Sequence, residues 1–301
     1  MNLPEFAHFS PKSVQDTCVL LSKFRGEANI LAGGTDLIVK MKHRRLVPKY
    51  VINIKRIPDL NCITYISGEG MKIGALATIE GLRMSPTVRQ VYPSLHSAVS
   101  YMGTVEVRNR ATLVGNVCNA SPSAETIPSL IVLGARVRVV SERGERTVPI
   151  DGFFIGPGRT VVQPDELVVE IEIPEPPRSS GSAYEKHSLR RMDRAVVGVA
   201  TMIAMSGEAC KDVRIALSAV SPKVMRAMRA EETLRGRVIG EQLIDEAAWI
   251  AAGESRPRTG MHGTADSKRD AVGQLARQTI SQAWRQASFG AGRRGPAGKE
   301  S

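Results

Sequence analysis

Apolar positions along the chain follow two periods, one typical of helices and the other typical of strands. Near the N-terminus a helical period is followed by two short apolar runs of strand length, with a polar and basic stretch between them. These segments are a helix from residue 14, a strand at residues 28–31, the polar stretch at 40–49 and a strand at 50–54. Residues 1 to about 58 are therefore expected to form a small α/β unit.

The middle of the chain mixes helical and strand periods in the same way. Alternating apolar runs predict strands, while apolar residues at helical spacing predict helices, and Gly144 marks a hairpin turn. The predicted strands lie at residues 71–77, 136–140 and 167–173. One helix is predicted to start at residue 79, and a second is predicted over residues 91–102. Residues 59–176 are therefore expected to form a second α/β subdomain, which completes a first domain over residues 1–176.

A run of proline, serine and glycine at residues 174–181 is the clearest linker in the sequence. Beyond it the pattern predicts strands at residues 196–205 and 213–220, a turn at 207–208, and helices at 231–234, 241–252 and 272–284. We expect a C-terminal α+β domain over residues 182–286, with a small antiparallel sheet and helices. Residues 287–301 are rich in glycine and arginine and are expected to be a disordered tail.

Two turns place glycine and a small hydroxyl residue after or within an apolar run. They read Ile30-Leu31-Ala32-Gly33-Gly34-Thr35-Asp36-Leu37 and Arg108-Asn109-Arg110-Ala111-Thr112-Leu113-Val114-Gly115-Asn116. Without side chains in the way, successive backbone N–H groups in such turns can approach an anion. Two turns of this kind suggest a long ligand with phosphates held at two points, and a dinucleotide is the natural candidate.

Each turn also has a simpler interpretation. The first would then be an ordinary tight turn between a strand and a helix. The second continues through Ser121 to Glu125, and it would be a polar loop with Ser123 as a helix cap. In the functional interpretation, the carboxylate of Glu125 accepts hydrogen bonds from ribose hydroxyls.

Composition narrows the class of protein. Of 301 residues, 42% are hydrophobic, which favours a globular chain over a disordered one. No apolar run approaches the roughly 18–20 residues of a membrane span, and no basic-then-apolar segment opens the chain, so we expect a cytoplasmic protein. The net charge is +11 but only 4% of residues are aromatic, which favours docking to acidic partner subunits over binding to nucleic acid.

Neither the cysteines nor a match to the dinucleotide-binding motif predicts a further site in this chain. Four cysteines are scattered without a C-x-x-C pair, so free thiols are expected and no metal or cluster site is predicted in this chain. A G-x-G-x-x-G match at residues 290–295 is followed only by a short tail. The dinucleotide fingerprint needs a preceding strand and a following helix, so we interpret this match as chance.

Several motifs together resemble a known family over almost the entire chain. They are the two turns above, Ile73-Gly74-Ala75 with Thr78, Tyr184-Glu185-Lys186 with Arg190 and Asp193, Arg214-Ile215-Ala216-Leu217, and Gly263-Thr264-Ala265-Asp266. Their order and spacing resemble the FAD-binding medium subunits of molybdenum hydroxylases, which include xanthine dehydrogenases and aerobic carbon-monoxide dehydrogenases. The resemblance implies an α+β fold in which a PCMH-type, vanillyl-alcohol-oxidase-like domain binds FAD between two α/β subdomains and a C-terminal domain closes over it.

The resemblance also implies cofactor contacts at named positions. The implied set is Leu31, Ala32, Gly33, Gly34, Thr35, Asp36, Gly74, Ala75, Thr78, Thr112, Gly115, Asn116, Ser121, Glu125 and Lys186. Residues 32–36 would cradle the pyrophosphate, and residues 112–116 would contact the phosphate and ribityl portion. Glu125 would serve the adenosine end, residues 74–78 would lie near the flavin, and Lys186 would approach the isoalloxazine, where a cation favours the anionic reduced ring.

The function implied by the resemblance is electron transfer within a complex. Electrons would arrive from [2Fe-2S] clusters on a small subunit, after substrate oxidation on a molybdopterin-binding large subunit, and leave to NAD+, a quinone or oxygen. The usual assembly of the family is a dimer of heterotrimers, and no side-chain general base is expected in this chain. Two alternatives remain open: a stand-alone FAD-dependent reductase or oxidase of the same fold, and a basic binding module without a cofactor.

Overall fold

A computed structural model of the chain describes residues 2–289. Its first unit is a parallel three-stranded sheet in which the central strand pairs with both of the others. The elements are β1 (Ala7–Phe9), α1 (Val14–Lys23), β2 (Ala28–Leu31), α2 (Leu37–Lys42) and β3 (Tyr50–Asn53), and the strand order is β1-β3-β2. Helix α2 lies in the connection between the parallel strands β2 and β3, so the first glycine turn stands at the carboxyl end of β2.

The second unit is an antiparallel five-stranded sheet with six helices inserted between its second and third strands in the chain. Its helices are α3 (Ile79–Met84), α4 (Pro86–Val91), α5 (Pro93–Tyr101), α6 (Val105–Arg108), α7 (Leu113–Asn119) and α8 (Thr126–Val132). The strands of the sheet are β4 (Ile63–Ile66), β5 (Gly70–Gly74), β6 (Arg136–Ser141), β7 (Gly144–Pro149) and β10 (Leu167–Pro174). A separate two-stranded ribbon, β8 (Phe154–Gly156) and β9 (Arg159–Thr160), lies between β7 and β10 in the chain. The sheet order is β4-β5-β10-β6-β7, and the second glycine turn leads into α7.

The third unit is an antiparallel sheet in the order β11-β12-β13-β14, covered by helices. Its elements are β11 (Ser180–His187), β12 (Val197–Ser206), β13 (Ala209–Ser218), β14 (Met225–Arg226), α9 (Met228–Leu234), α10 (Glu241–Glu254) and α11 (Ala265–Phe289). Helix α11 buries one face, including Val272, Ile280 and Ala283, against this sheet. Although α11 has 25 residues, neither it nor any other helix between residues 2 and 289 is both long and apolar enough to cross a membrane.

Two apolar cores hold these units together. The larger core joins the first two units and takes in Tyr184, Ala200 and Ala216 from the third sheet. The smaller core lies between that sheet and helices α9, α10 and α11. Helices α5 and α8 of the second unit pack directly on β11 and β12, so the third unit is anchored beside the second glycine turn.

The structure confirms the type of most predicted elements, adds one helix that was not predicted and corrects two predicted boundaries. No helix was predicted between the strands at 28–31 and 50–54, but α2 lies there and extends into the basic stretch as far as Lys42. The single helix expected over 91–102 is divided, because Pro93 has no N–H to continue α4 and instead occupies the first position of α5. The tail was predicted to begin at residue 287, but α11 continues to Phe289. The rest of the predicted tail, including the G-x-G-x-x-G match at 290–295, lies outside the residues that the structure describes.

An ion-pair network fixes the chain just ahead of the second glycine turn. The Arg108 guanidinium donates to the Glu80 carboxylate at 2.7 Å and to the carbonyl oxygens of Met102 and Gly103 at 3.2 and 3.1 Å. Arg83 donates to the same carboxylate, at 3.0 Å from its Nε. The hydrogen bond from Arg83 and then that from Arg108 hold the pKa of Glu80 at about 2, although burial opposes them.

This low pKa predicts how the network depends on pH. A glutamate in an unfolded chain titrates near ~4.3, so the carboxylate stabilises the fold above that pH and loses its contribution as the pH falls towards the folded-state pKa. We expect Glu80→Gln to lower the free energy of unfolding at pH 6 by about 1–3 kcal/mol, with a smaller difference from the wild type at pH 3. Urea unfolding measures both values, and Glu208→Gln, in an exposed turn, is the control. A difference that stays constant from pH 6 to pH 3 would contradict the assignment.

Candidate functional site

The two glycine turns meet in the folded chain. A Cβ atom placed on Gly33 would lie 2.0 Å from the carbonyl oxygen of Arg110 and 3.1 Å from Cα of Ala111. Both neighbours are backbone atoms, which cannot move aside as the end of a flexible side chain can. Glycine at position 33 is therefore required for the first turn to pack against the start of the second turn.

The first turn presents backbone amides that have no partner within the protein. Gly34 has a φ of +79°, a left-handed conformation that favours glycine. Within residues 2–289, no group accepts a hydrogen bond from the amides of Gly34, Thr35 or Asp36, whereas the amide of Ile38 already donates to the Gly34 carbonyl. Successive free N–H groups of this kind form an anion-binding concavity.

The second turn adds side-chain donors from the beginning of α7. Thr112 caps this helix, since its Oγ1 accepts a hydrogen bond from the Gly115 amide at 3.0 Å, and its hydroxyl hydrogen remains available. The Oδ1 atom of Asn116 accepts a hydrogen bond from the Thr126 hydroxyl at 2.6 Å. The NH₂ group of Asn116 is thereby left to donate elsewhere.

Together the turns border a cleft with a cavity volume of about 390 Å³. This volume falls in the range of about 300–1,000 Å³ that is usual for small-molecule and cofactor sites. The predicted site residues that line the cleft are Ala32, Gly33, Gly34, Thr35, Asp36, Ala75, Thr112, Gly115 and Asn116. Apolar side chains, among them Ile54, Val162 and Val168, complete its walls. The structure thus unites most of the predicted set around one concave surface.

Lys40, Asn119 and Glu166 are among the polar residues of the cleft lining that were not predicted as site residues. Lys40 and Asn119 line the cleft, and the Lys40 ammonium donates to Asn119 Oδ1 at 2.6 Å across the gap between α2 and the end of α7. Lys40 lies one helical turn after Asp36, a spacing that would have placed it at the site if α2 had been recognised. Glu166, also in the lining, immediately precedes the predicted strand at residues 167–173 and offered no comparable signal.

Four other predicted residues lie outside the lining of this cleft. Leu31 ends β2, and Ser121 shares a hydrogen bond with the Ser123 hydroxyl at 3.2 Å. Thr78 caps α3 by accepting a hydrogen bond from the Gly81 amide. A Cβ on Gly74 would lie 2.3 Å from the carbonyl oxygen of Leu60, so packing of β5 against the segment before β4 already accounts for glycine there.

Glu125 and Lys186, two of the predicted site residues, form a buried ion pair. The Lys186 Nζ atom lies 3.1 Å from Glu125 Oε1, and the two side chains are 2% and 7% exposed. The same ammonium donates to the carbonyl oxygens of Tyr101 and Asp193. The resemblance places Glu125 at the adenosine end and Lys186 at the isoalloxazine, whereas the ion pair brings the two side chains to one place beside the cleft.

The ion pair lies directly behind the cleft. Tyr101, which accepts from Lys186, precedes Met102 of the cleft lining, and Glu125 precedes Thr126, the partner of Asn116. Burial raises the pKa of the Glu125 carboxyl, and the charge of Lys186 opposes that rise. A second hollow of about 550 Å³ adjoins the pair at Asp193, and its lining also includes Arg194, His262 and Lys268.

Comparisons with known proteins agree with this architecture. Residues 4–176 match the family model described as the FAD binding domain in molybdopterin dehydrogenase. Residues 182–283 match the model described as the CO dehydrogenase flavoprotein C-terminal domain. The first match covers more than half of the chain and includes both glycine turns.

Whole proteins and solved structures are similar over nearly the entire chain. The carbon monoxide dehydrogenase medium chain of Hydrogenophaga pseudoflava is 33% identical over 93% of this chain and 98% of its own length. The xanthine dehydrogenase FAD-binding subunit of Escherichia coli O157:H7 is 26% identical over 93% of this chain and 96% of its own.

Among solved structures, carbon monoxide dehydrogenase from Hydrogenophaga pseudoflava matches with a TM-score of 0.91 and 34% identity, covering 95% of this chain and 99% of that one. Quinoline 2-oxidoreductase from Pseudomonas putida 86 matches with a TM-score of 0.89 and 30% identity, over 95% and 99% of the two chains. An FAD-binding family is incompatible with a basic binding module that lacks a cofactor. The chain belongs to the FAD-binding medium subunits of the molybdenum hydroxylases, and it is a flavin subunit of an oxidoreductase.

Proposed function

We propose that this chain carries electrons from [2Fe-2S] clusters on a partner subunit, through FAD, to NAD+, a quinone or oxygen. The observation that carries the proposal is the cleft between the two glycine turns, where free amides and hydroxyl and amide donors converge. FAD, when bound, supplies the redox chemistry by accepting electrons singly and releasing them to the acceptor. The chain itself binds, orients and tunes the cofactor.

The phosphates are held by donors from both turns. The amides of residues 34–36 offer the concavity for the diphosphate, and Lys40, already anchored to Asn119, adds a positive charge at its edge. Thr112 and Asn116 retain donors for the phosphate and ribityl portion. In this proposal the FAD-binding domain covers residues 1–176, with subdomains that meet near residue 58, and the C-terminal domain covers 182–286.

The flavin ring lies beside the Glu125–Lys186 pair in this proposal, near Gly74, Ala75, Thr78 and Ser121. The support is that the pair lies one residue behind the cleft lining at Met102 and is shielded from water. Buried charges are weakly screened, so they act strongly on a neighbouring ring. The hollow beside Asp193 provides the opening through which an acceptor approaches.

The partners in this proposal are a [2Fe-2S] small subunit and a molybdopterin-binding large subunit, assembled as a dimer of heterotrimers. The relatives named above are medium chains or FAD-binding subunits, names that imply other subunits in each complex. The net charge of +11 favours docking to acidic or neutral subunits.

Purification of the chain from its native host tests the function directly. We expect the tagged chain to be yellow and to co-purify with one larger and one smaller subunit, and we expect the complex to contain molybdenum and iron. A yellow chain that purifies alone and is reduced by NADH without partners would instead support the stand-alone reductase or oxidase. A colourless chain that binds no FAD when the cofactor is added would contradict both.

The charge pair makes a separate prediction about the reduction potential. A cation beside the ring stabilises the anionic reduced flavin, and an anion does the opposite. We expect Lys186→Met to lower the potential by on the order of 30 mV, equivalent to ~1.4 kcal/mol, and Glu125→Gln to raise it by a similar amount. The double variant, which leaves no unpaired buried charge, should return close to the wild type.

Spectroelectrochemical titration of the bound flavin measures these potentials. Lys211→Met, an exposed position on β13, is the matched control and should leave the potential unchanged. Unchanged potentials in both single variants would show that the pair only supports packing between α5, α8 and β11.

A further inference from the structure

We infer that Glu166 accepts hydrogen bonds from the ribose hydroxyls in the adenosine half of FAD, an inference that rests on the proposed function. Nothing in the sequence pattern or the family resemblance pointed to this residue. The carboxylate that was expected to do so, Glu125, is instead paired with Lys186 outside the cleft lining. In the described part of the chain, the acidic residues in the cleft lining are Asp36 and Glu166.

Glu166 is held in one orientation by its neighbours. Arg146 donates from Nε to one carboxylate oxygen at 2.8 Å and from Nη2 to the other at 2.7 Å. The Gln163 amide donates to the second oxygen at 2.8 Å, and the Glu166 side chain is only 7% exposed. Because a carboxylate offers about four lone-pair sites and these contacts use three of them, acceptor capacity remains.

The charge of Glu166 selects which part of a dinucleotide it can face. A carboxylate repels the diphosphate, which the amides of the first turn hold, but it accepts strong hydrogen bonds from hydroxyl groups. The arginine hydrogen bond lowers the pKa of Glu166, so the group stays ionised at neutral pH. Asp36 belongs to the phosphate turn itself, which leaves Glu166 as the acidic residue of the lining that can accept from a sugar.

The surroundings of Glu166 favour the adenosine sugar over the ribityl chain. Val162, Leu167 and Val168 line the cleft on either side of it in the sequence and supply an apolar wall suited to the face of adenine. The ribityl hydroxyls are the other hydroxyl donors of FAD, and Thr112 and Asn116 serve that portion in the proposed function. The adenosine ribose and the ribityl chain can be altered independently, so an FAD analogue that lacks only the ribose hydroxyls shows which of them Glu166 contacts.

The test uses the full chain stripped of cofactor, FAD, and an FAD analogue whose adenosine ribose lacks both hydroxyls. Fluorescence titration gives the dissociation constant of each ligand for the wild type and for Glu166→Gln. We expect the wild type to bind the analogue about tenfold or more weakly than FAD, as for the loss of a hydrogen bond to a charged group. The variant should bind FAD more weakly than the wild type does and should bind FAD and the analogue alike.

If Glu166 had a purely structural role, Glu166→Gln would weaken the binding of both ligands equally and keep the ratio of their dissociation constants. That result would overturn the inference. An equal affinity of the wild type for the two ligands would overturn it as well. Glu145→Gln, an exposed carboxylate on β7, is the control and should retain the wild-type ratio. If Glu166→Gln does not fold, Glu166→Asp keeps the charge but withdraws it by one methylene, and it too should lose the discrimination. A wild-type chain that binds no FAD would overturn the proposed function and, with it, this inference.

Discussion

The site depends on one close approach, that of Gly33 to the carbonyl oxygen of Arg110. No side chain fits between them, since a Cβ atom at position 33 would lie 2.0 Å from that oxygen. The contact joins a turn at the end of a parallel strand to a turn ahead of a helix in a different sheet unit. The free amides of the first turn and the donors of the second thereby face one cleft, where a single elongated ligand can meet both.

The rest of the second unit keeps this contact in place. Arg108 is tied to Glu80 and to two backbone carbonyls, which fixes the chain two residues before Arg110. On the far side of α7, Thr126 is bonded to Asn116, and the next residue back, Glu125, is paired with Lys186 of the third unit. The third sheet therefore lies against the wall of the cleft, and charges from two units meet beside the cleft.

Local patterns in the sequence predicted what local physics determines. Strand β2, the strands β12 and β13 with their turn, and the amphipathic face of α11 are each encoded by periodicity within a few residues. The glycine turns were found for the same reason. The pairing of Glu125 with Lys186 and the position of Glu166 depend on contacts between residues distant in the chain, which no periodicity reports. The family resemblance supplied the cofactor, but it did not indicate that Glu125 and Lys186 contact each other.

The most direct measurement of the central claim is the FAD affinity of Gly33→Ala, read from the dissociation constant and from the ratio of flavin to protein absorbance. The added methyl group must displace backbone on one side, and overpacking of this kind costs about 1–3 kcal/mol, so the account predicts roughly a tenfold or greater loss of FAD affinity. Gly253→Ala is the control, because nothing lies within 4 Å of its Cβ position on α10. Wild-type affinity in Gly33→Ala would show that the two turns do not need their contact to hold the cofactor, and it would contradict the account.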